Sequence, residues 1–368
     1  MLKLTTLQKQ NLKYHQYKCV GISLLDPYLG RFWNKCAELI PNWIAPNMIT
    51  LVGLITNVLP IIFTLFVINF DTSTLAPTYL LVWLSVSLFV YQTLDAIDGK
   101  HARRINMSSP LGEVFDHGCD ALSTILVNMM AALAIQPHPF EEILFLWSIV
   151  VLTCSFVFHW QTFVTGSMFF TLLSVTEAQL AVIVMCLIPA ITTSNVFHLS
   201  LFGVPLVYLF FIPVTVNLAY AIMVMFGRIC NNGSGKNGST IANSSVISPG
   251  ISPLIVLFTT YYIYRYSPAN LISNNFYILN IFYGFVFSKL CLKILVCIVT
   301  KSIYIPIDIS LMFPMALVIN IYVGCPLSEV LLLQAMMVIA AVNWISYFFY
   351  VCTELSKALN VPVLLCKR

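Results

Sequence analysis

The sequence predicts an all-α, polytopic integral membrane protein of about ten transmembrane helices with an N-terminal interfacial helix, and three observations carry that reading. Of 368 residues, 59% are hydrophobic and only 9% are charged, against the roughly 25% charge of an ordinary soluble domain. Apolar runs near the ~20 residues that a helix needs to cross hydrocarbon recur along the chain, separated by polar or proline-marked breaks. The scarce charge gathers in one stretch, Asp95 to Asp120, which holds four aspartates, two histidines and two arginines. The net charge of +4 is too small and too dispersed to argue for nucleic acid.

Taken in order, residues 1–47 read as a basic cytosolic arm. It has no apolar stretch leading to a cleavage site, so no removed signal peptide is expected. Within it, Leu29 to Ile40 spaces apolar residues at helical intervals between charges, as a helix lying on the membrane would, with Trp33 and Trp43 in its interfacial belt. The spans then occupy 48–352. The first runs to Asn69; the second starts near Pro77 and continues as helix through Asp95. The third lies between Leu111 and Pro137, and the fourth covers Glu142 to Phe163. Further runs lie at about 178–197, 201–227, 250–264, 276–299, 306–322 and 328–352. Residues 353–368 form a cytosolic tail. Eleven cysteines include no C-x-x-C pair, and Cys154, Cys186, Cys291 and Cys297 sit inside apolar runs, as buried small hydrophobes do.

Basic residues set the orientation. With the N-terminus cytosolic, ten spans return the C-terminus to the cytosol. Besides the basic arm that contains Lys3, the cytosolic loops then collect Lys100, Arg103, Arg104, Arg228, Lys236, Lys301, Lys357, Lys367 and Arg368, while the opposite loops hold Arg265. The N-x-S triplets at Asn106, Asn232, Asn237 and Asn243 then face the compartment without glycosylation.

The charged stretch reads as chemistry. Asp95 and Asp98 are three apart and Asp116 and Asp120 four apart, so each pair shares a face of its helix. Four convergent acids repel one another unless protons or cations compensate them. An all-oxygen donor set without cysteine suits Mg²⁺ or Mn²⁺, and four carboxylates can bridge two ions. The competing reading is a salt network with Lys100, Arg103 and Arg104, although three cations on one turn do not reach all four acids. Gly99 and Gly112 fall one on each helix, where small residues admit a substrate or a close helix. Arg103 offers a fork of donors to a phosphate; Arg104 points elsewhere, as a headgroup-level charge. Glu113, four residues before His117, is placed to orient its ring, so that His117 can act as a general base toward an alcohol. Asp120 is the rival for that role.

Written as spacing, D-x-x-D-G-x-x-A-R-x8-G-x3-D-x3-D resembles the signature of the CDP-alcohol phosphotransferases at every defined position. The flanking G-I-S-L-L-D-P (Gly21 to Pro27), P-N-W-I-A-P-N-M-I-T-L-V-G (Pro41 to Gly53), H-W-Q-T-F-V-T-G (His159 to Gly166) and G-K-N-G-S-T-I-A (Gly235 to Ala242) resemble the eukaryotic choline and choline/ethanolamine branch. The resemblance makes 48–352 a CDP-alcohol phosphotransferase domain of about ten spans. It implies transfer of phosphocholine or phosphoethanolamine from CDP-choline or CDP-ethanolamine to diacylglycerol, with release of CMP. It implies that Asp95, Asp98, Asp116 and Asp120 hold two ions, that Asn47 and Arg103 contact the CDP-alcohol, and that His117 accepts the proton. A homodimer in the endoplasmic reticulum membrane is implied as well, with Golgi or nuclear membrane as alternatives. His101, Ile105, Met107 and Ser174 depart from the pattern outside the signature; His101 is expected to face headgroups. Glu177 is expected to meet the substrate amine or to serve as a helix N-terminal acid. Lys289 and Lys293, one turn apart in the eighth span, face a polar cavity or snorkel. Competing functions are an ethanolamine-specific enzyme, another acceptor, or a transporter. A transporter would spread its acids over several spans instead of one helix pair.

Overall fold

The computed structural model describes residues 4–192 and 195–366; Lys3, Lys367 and Arg368, assigned above to the cytosolic side, lie outside the described residues. Its helices in chain order are α1 (Thr6–Tyr14), α2 (Asp26–Leu39), α3 (Pro46–Val67), α4 (Thr78–Arg104), α5 (Pro110–Ile135), α6 (Glu141–Thr165), α7 (Val175–Ile191), α8 (Leu206–Asn231), α9 (Ile251–Tyr266), α10 (Leu271–Asn274), α11 (Phe276–Thr300), α12 (Met312–Tyr322) and α13 (Glu329–Leu359). Strands are confined to two-residue pieces, such as the Ser200–Leu201 and Val204–Pro205 hairpin. The all-α polytopic class is therefore as expected. Each of the ten apolar runs carries a helix, and α3, α4, α5, α6, α8, α11 and α13 are long and apolar enough to cross a membrane among the described residues. The other three, α7, α9 and α12, have 17, 16 and 11 residues. The run at 306–322 is shortened for a local reason: Asp308 accepts the Ser310 N–H and opens a 3₁₀ turn, so α12 begins only at Met312.

The chain divides into two compact units. One comprises Gln16–Pro137, Phe169–Ala221 and the chain from Cys352 on; the other comprises the chain up to His15, His138–Met168 and Ile222–Val351. In the first unit α4 is central, packing on α2, α3, α5 and α7. The predicted N-terminal helix is present as α2, which begins with Asp26-Pro27, an acid and a proline suited to the first turn. Its Trp33 is 6% exposed and clusters with Ala37, Ile49 of α3 and Ile97 of α4, while Trp43 is 77% exposed. Trp33 thus anchors the arm to the bundle instead of lying in an interfacial belt. Burying so large a side chain contributes roughly 2–3 kcal/mol. Further along the arm, the Leu24 N–H donates to the Leu172 carbonyl and the Phe170 N–H to that of Val20, at 2.8 and 2.9 Å. Gly21 has φ +94°, and a β-carbon there would strike the Phe170 carbonyl oxygen, so glycine is required at that crossing.

In the second unit α11 is the most buried helix, packed against α6. The short α1, which the sequence reading did not foresee, rests on it, and Asn11 donates to the Thr300 carbonyl at the end of α11 at 2.9 Å. Trp160 of α6 is pinned by a 2.7 Å hydrogen bond from Nε1 to the Val246 carbonyl, with its ring against Gly250.

Candidate active site

Two helix ends build the site. Helix α4 stops at Arg104 because Asn106 turns the chain through φ +56°, and α5 starts two residues after Ser108 with a conventional cap. The Ser109 hydroxyl accepts the Gly112 N–H at 3.2 Å, and Pro110, which has no N–H to satisfy, occupies the first turn. The charged ends of α4 and α5 therefore lie side by side, in the order the signature spacing requires.

The four aspartates converge as expected. Carboxylate oxygens of Asp95, Asp98 and Asp116 lie within 4.8 Å of one another, and donor atoms of Asp116, His117 and Asp120 do likewise. Asp116 belongs to both groups, so the arrangement is two adjoining acidic clusters that share one carboxylate. Oδ1 of Asp95 and Oδ1 of Asp116 are buried without a hydrogen-bond partner. Desolvated carboxylate oxygens crowded together are costly unless protons or cations compensate them. Hard oxygens in two adjoining groups match divalent-ion ligation, and the residues fit such a group.

Surrounding side chains hold the acids in place. Thr50 of α3 donates its hydroxyl to Oδ2 of Asp98, which is 4% exposed. Tyr91 of α4 donates to Oδ1 of Asp120 at 2.6 Å, and Oδ2 of Asp120 faces Nδ1 of His117 at 3.5 Å. The Tyr17 ring stacks on the His117 ring with centroids 5.9 Å apart. Partial burial, together with the neighbouring Cys19 and the acids Asp116, Glu113 and Asp120, pushes the Tyr17 hydroxyl above its usual range, which keeps it protonated beside the acids. Glu113 stands in the first turn of α5, four residues before His117. The Asp120 carboxylate also lies beside the His117 ring.

The remaining predicted residues fall into two neighbouring pairs. A β-carbon at Gly99 would meet the Arg103 guanidinium at 3.6 Å, and one at Gly112 would meet Asn47 Oδ1 at 3.6 Å. Arg103 thus folds back over Gly99, and Asn47, 8% exposed, turns its amide oxygen toward Gly112. Its amide nitrogen donates to the Val363 carbonyl at 2.8 Å, so the C-terminal segment helps orient it.

The salt-network alternative loses two of its three cations. Lys100 donates to Asn34 Oδ1 at 2.8 Å. Arg104 donates to the Glu38 carbonyl at 2.7 Å and to that of Ile40, where it satisfies the free carbonyls at the end of α2. His101, expected among headgroups, is fully buried instead, between the Ile44 carbonyl at 2.8 Å and Arg104 at 3.0 Å from its Nδ1. Glu177 closes a capping box with Ser174 and accepts the Leu25 N–H at 2.8 Å, a helix N-terminal duty. Of the residues that sequence reasoning missed, Tyr91 had a signal, since it precedes Asp95 by four and shares its helix face. Thr50, one turn after Asn47, had a similar one. Tyr17 and Val363 reach the site through loops, and no local pattern announces them.

The family model for CDP-alcohol phosphatidyltransferase matches residues 43–225. Cholinephosphotransferase 1 of Xenopus laevis is 35% identical over 98% of this chain and 90% of its own length. Cholinephosphotransferase 1 of Homo sapiens is 34% identical over 98% and 89%. An uncharacterized CDP-alcohol phosphatidyltransferase class-I family protein of Dictyostelium discoideum is 28% identical over 95% and 91%.

Proposed function

The chain belongs to the CDP-alcohol phosphatidyltransferase family, and from that premise we propose that it transfers phosphocholine, phosphoethanolamine or both from the CDP ester to the hydroxyl of diacylglycerol, releasing CMP. The observation that carries the reading is the pair of acidic clusters sharing Asp116, with His117 inside one of them. Asp95, Asp98, Asp116 and Asp120 would hold two divalent cations, Mg²⁺ or Mn²⁺, which when bound neutralise the diphosphate and the departing CMP. Arg103 forks onto a phosphate oxygen. The bare faces of Gly99 and Gly112 leave room for the donor beside Arg103 and Asn47.

His117 takes the proton of the acceptor hydroxyl as the new O–P bond forms at the β-phosphorus and the P–O bond to CMP breaks. Oδ1 of Asp120 accepts from Tyr91 and Oδ2 lies beside the His117 ring. This favours Asp120 as the group that orients the ring and stabilises its charge, and His117 as the base. Tyr17 covers one face of the ring and limits water there. Glu113 adds negative charge on the same helix face. The lipid acceptor enters from the bilayer and the water-soluble donor from the cytosol, which accounts for a reaction centre at the ends of two spanning helices.

The enzyme acts as a homodimer in the endoplasmic reticulum membrane, with both termini cytosolic. The deciding experiment supplies the full chain, in membranes devoid of endogenous activity, with diacylglycerol, Mg²⁺ or Mn²⁺, and either CDP-choline or CDP-ethanolamine. Formation of phosphatidylcholine or phosphatidylethanolamine is expected, and the ratio of rates gives the headgroup preference. Absence of both products overturns the reading.

A further inference from the structure

Outside the acidic clusters, the second unit contains a cavity of about 550 Å³ lined by Lys289, Lys293, Asp308, Asn343, Ser346, Tyr347 and Tyr350. Its size is that of a small-ligand pocket, and three features define what it would hold. First, its charges do not cancel. Asp308 spends Oδ1 on the Ser310 N–H and Oδ2 on Lys293, each at 3.0 Å. Asp308 is the one acid among the residues lining the cavity, so the two lysines share a single carboxylate. The Lys289 ammonium sits over the Tyr347 ring, 3.2 Å from its centroid, and the residue is 5% exposed. One formal positive charge is therefore uncompensated in a chain whose charge is only 9%. Secondly, Oδ1 of Asn343 is buried with no hydrogen-bond partner, an acceptor that lacks a donor. Thirdly, the cavity is walled by residues of α11 and α13, two of the helices long and apolar enough to cross a membrane, with two tyrosine rings among them.

A cation in a spanning segment is costly unless something pairs with it. The complement to this cavity is a group with a single negative charge and an adjoining hydroxyl donor, attached to apolar mass. We propose that this cavity binds the headgroup of an anionic glycerophospholipid, with the phosphodiester against Lys289 and a headgroup hydroxyl donating to Asn343. The lysine pair lies outside the acidic clusters, so this is a second lipid site and makes no use of the residues assigned to the reaction. A soluble phosphate ester shares the charge and the hydroxyl but offers nothing to the tyrosine walls.

Native mass spectrometry on the full chain, delipidated and exchanged into neutral detergent, tests this without any turnover measurement. Phosphatidylglycerol carries both the charge and the donor; phosphatidylcholine, with no net charge and no headgroup hydroxyl, carries neither. The wild type is expected to retain phosphatidylglycerol at least tenfold more strongly than phosphatidylcholine, and glycerol 3-phosphate in hundredfold excess is expected not to displace it. Lys289→Met, which keeps the stem and drops the charge, is expected to lower the preference at least fivefold with an unchanged circular dichroism spectrum. Asn343→Leu supplies an independent variant with the lysine intact and is expected to lower it as well. Equal retention of the two lipids, displacement by glycerol 3-phosphate, or a preference unaltered in both variants overturns the proposal.

Discussion

The Asp120 carboxylate accepts from the Tyr91 hydroxyl and lies beside the His117 ring, and that arrangement ranks the side chains around it. With the Tyr91 hydroxyl on one Asp120 oxygen and the His117 ring beside the other, the proposed base is the imidazole and not the carboxylate. His117→Ala should therefore lower turnover by about 10²–10⁴-fold, with the dissociation constant of the CDP-alcohol changed less than about threefold. Equilibrium binding of a labelled CDP-alcohol beside single-turnover product formation separates the two; loss of binding alone would make His117 a ligand of the site and not its base. Tyr91→Phe removes one hydrogen bond to a carboxylate, an interaction of about 1.5–3 kcal/mol. If that bond holds the ring geometry, kcat should fall roughly ten- to a hundredfold while the KM for the CDP-alcohol stays put. At this scale the aspartates were legible, because charge is scarce and their spacing is helical. The residues that position them were only partly so. Tyr91 and Thr50 lie on readable helix faces, whereas Tyr17 and the Val363 carbonyl arrive from loops whose paths depend on the whole fold.

Helix ends decide whether the two clusters meet. Arg104 was legible as a charge but not as a cap, because its partners, the carbonyls of Glu38 and Ile40, are backbone atoms more than 60 positions away in sequence. It clamps the end of α2 to the end of α4 and covers the buried His101. Arg104→Ala leaves these groups without a donor, and a destabilisation of ~1–3 kcal/mol follows, read as a lower thermal midpoint in nanodiscs. Residual activity well below that midpoint should remain, since no signature aspartate is touched. The second unit offers a comparable steric case. A β-carbon at Gly250 would come within 2.6 Å of the Trp160 ring, and the hydrogen bond from Trp160 to Val246 prevents the ring from yielding. Gly250→Ala should thus cost about 1–3 kcal/mol as overpacking, measurable in the same assay, whereas adding a hydrogen-bond-deleting Trp160→Phe substitution should recover part of the loss by freeing the ring. The start of α5 was readable from Ser109-Pro110. Helix α1 was not, since its short polar sequence carries no apolar period and gains order by resting on α11.

Across the whole molecule, hydropathy located every long helix but overstated what three of them can do alone. Composition marks an apolar run without marking where a cap or a proline ends the helix inside it, as Asp308 does ahead of α12. Orientation rests on loop charges, and the four N-x-S triplets give it a direct test. Asn106 lies in the turn between α4 and α5, and Asn232, Asn237 and Asn243 lie in the loop after α8; all four are exposed. Burial therefore would not protect them from a glycosyltransferase, and only the compartment would. If the ends of α4 and α5 face the cytosol with the Lys100, Arg103 and Arg104 charges, none of the four carries sugar when the chain is expressed in a eukaryotic cell. Peptide N-glycosidase treatment should then leave its gel mobility unchanged. A glycosylation tag inserted between α3 and α4, in the turn at about residue 73, should be modified in the same experiment. Glycosylation of any of the four native asparagines would invert the arrangement and move the donor's route of entry to the opposite face of the membrane.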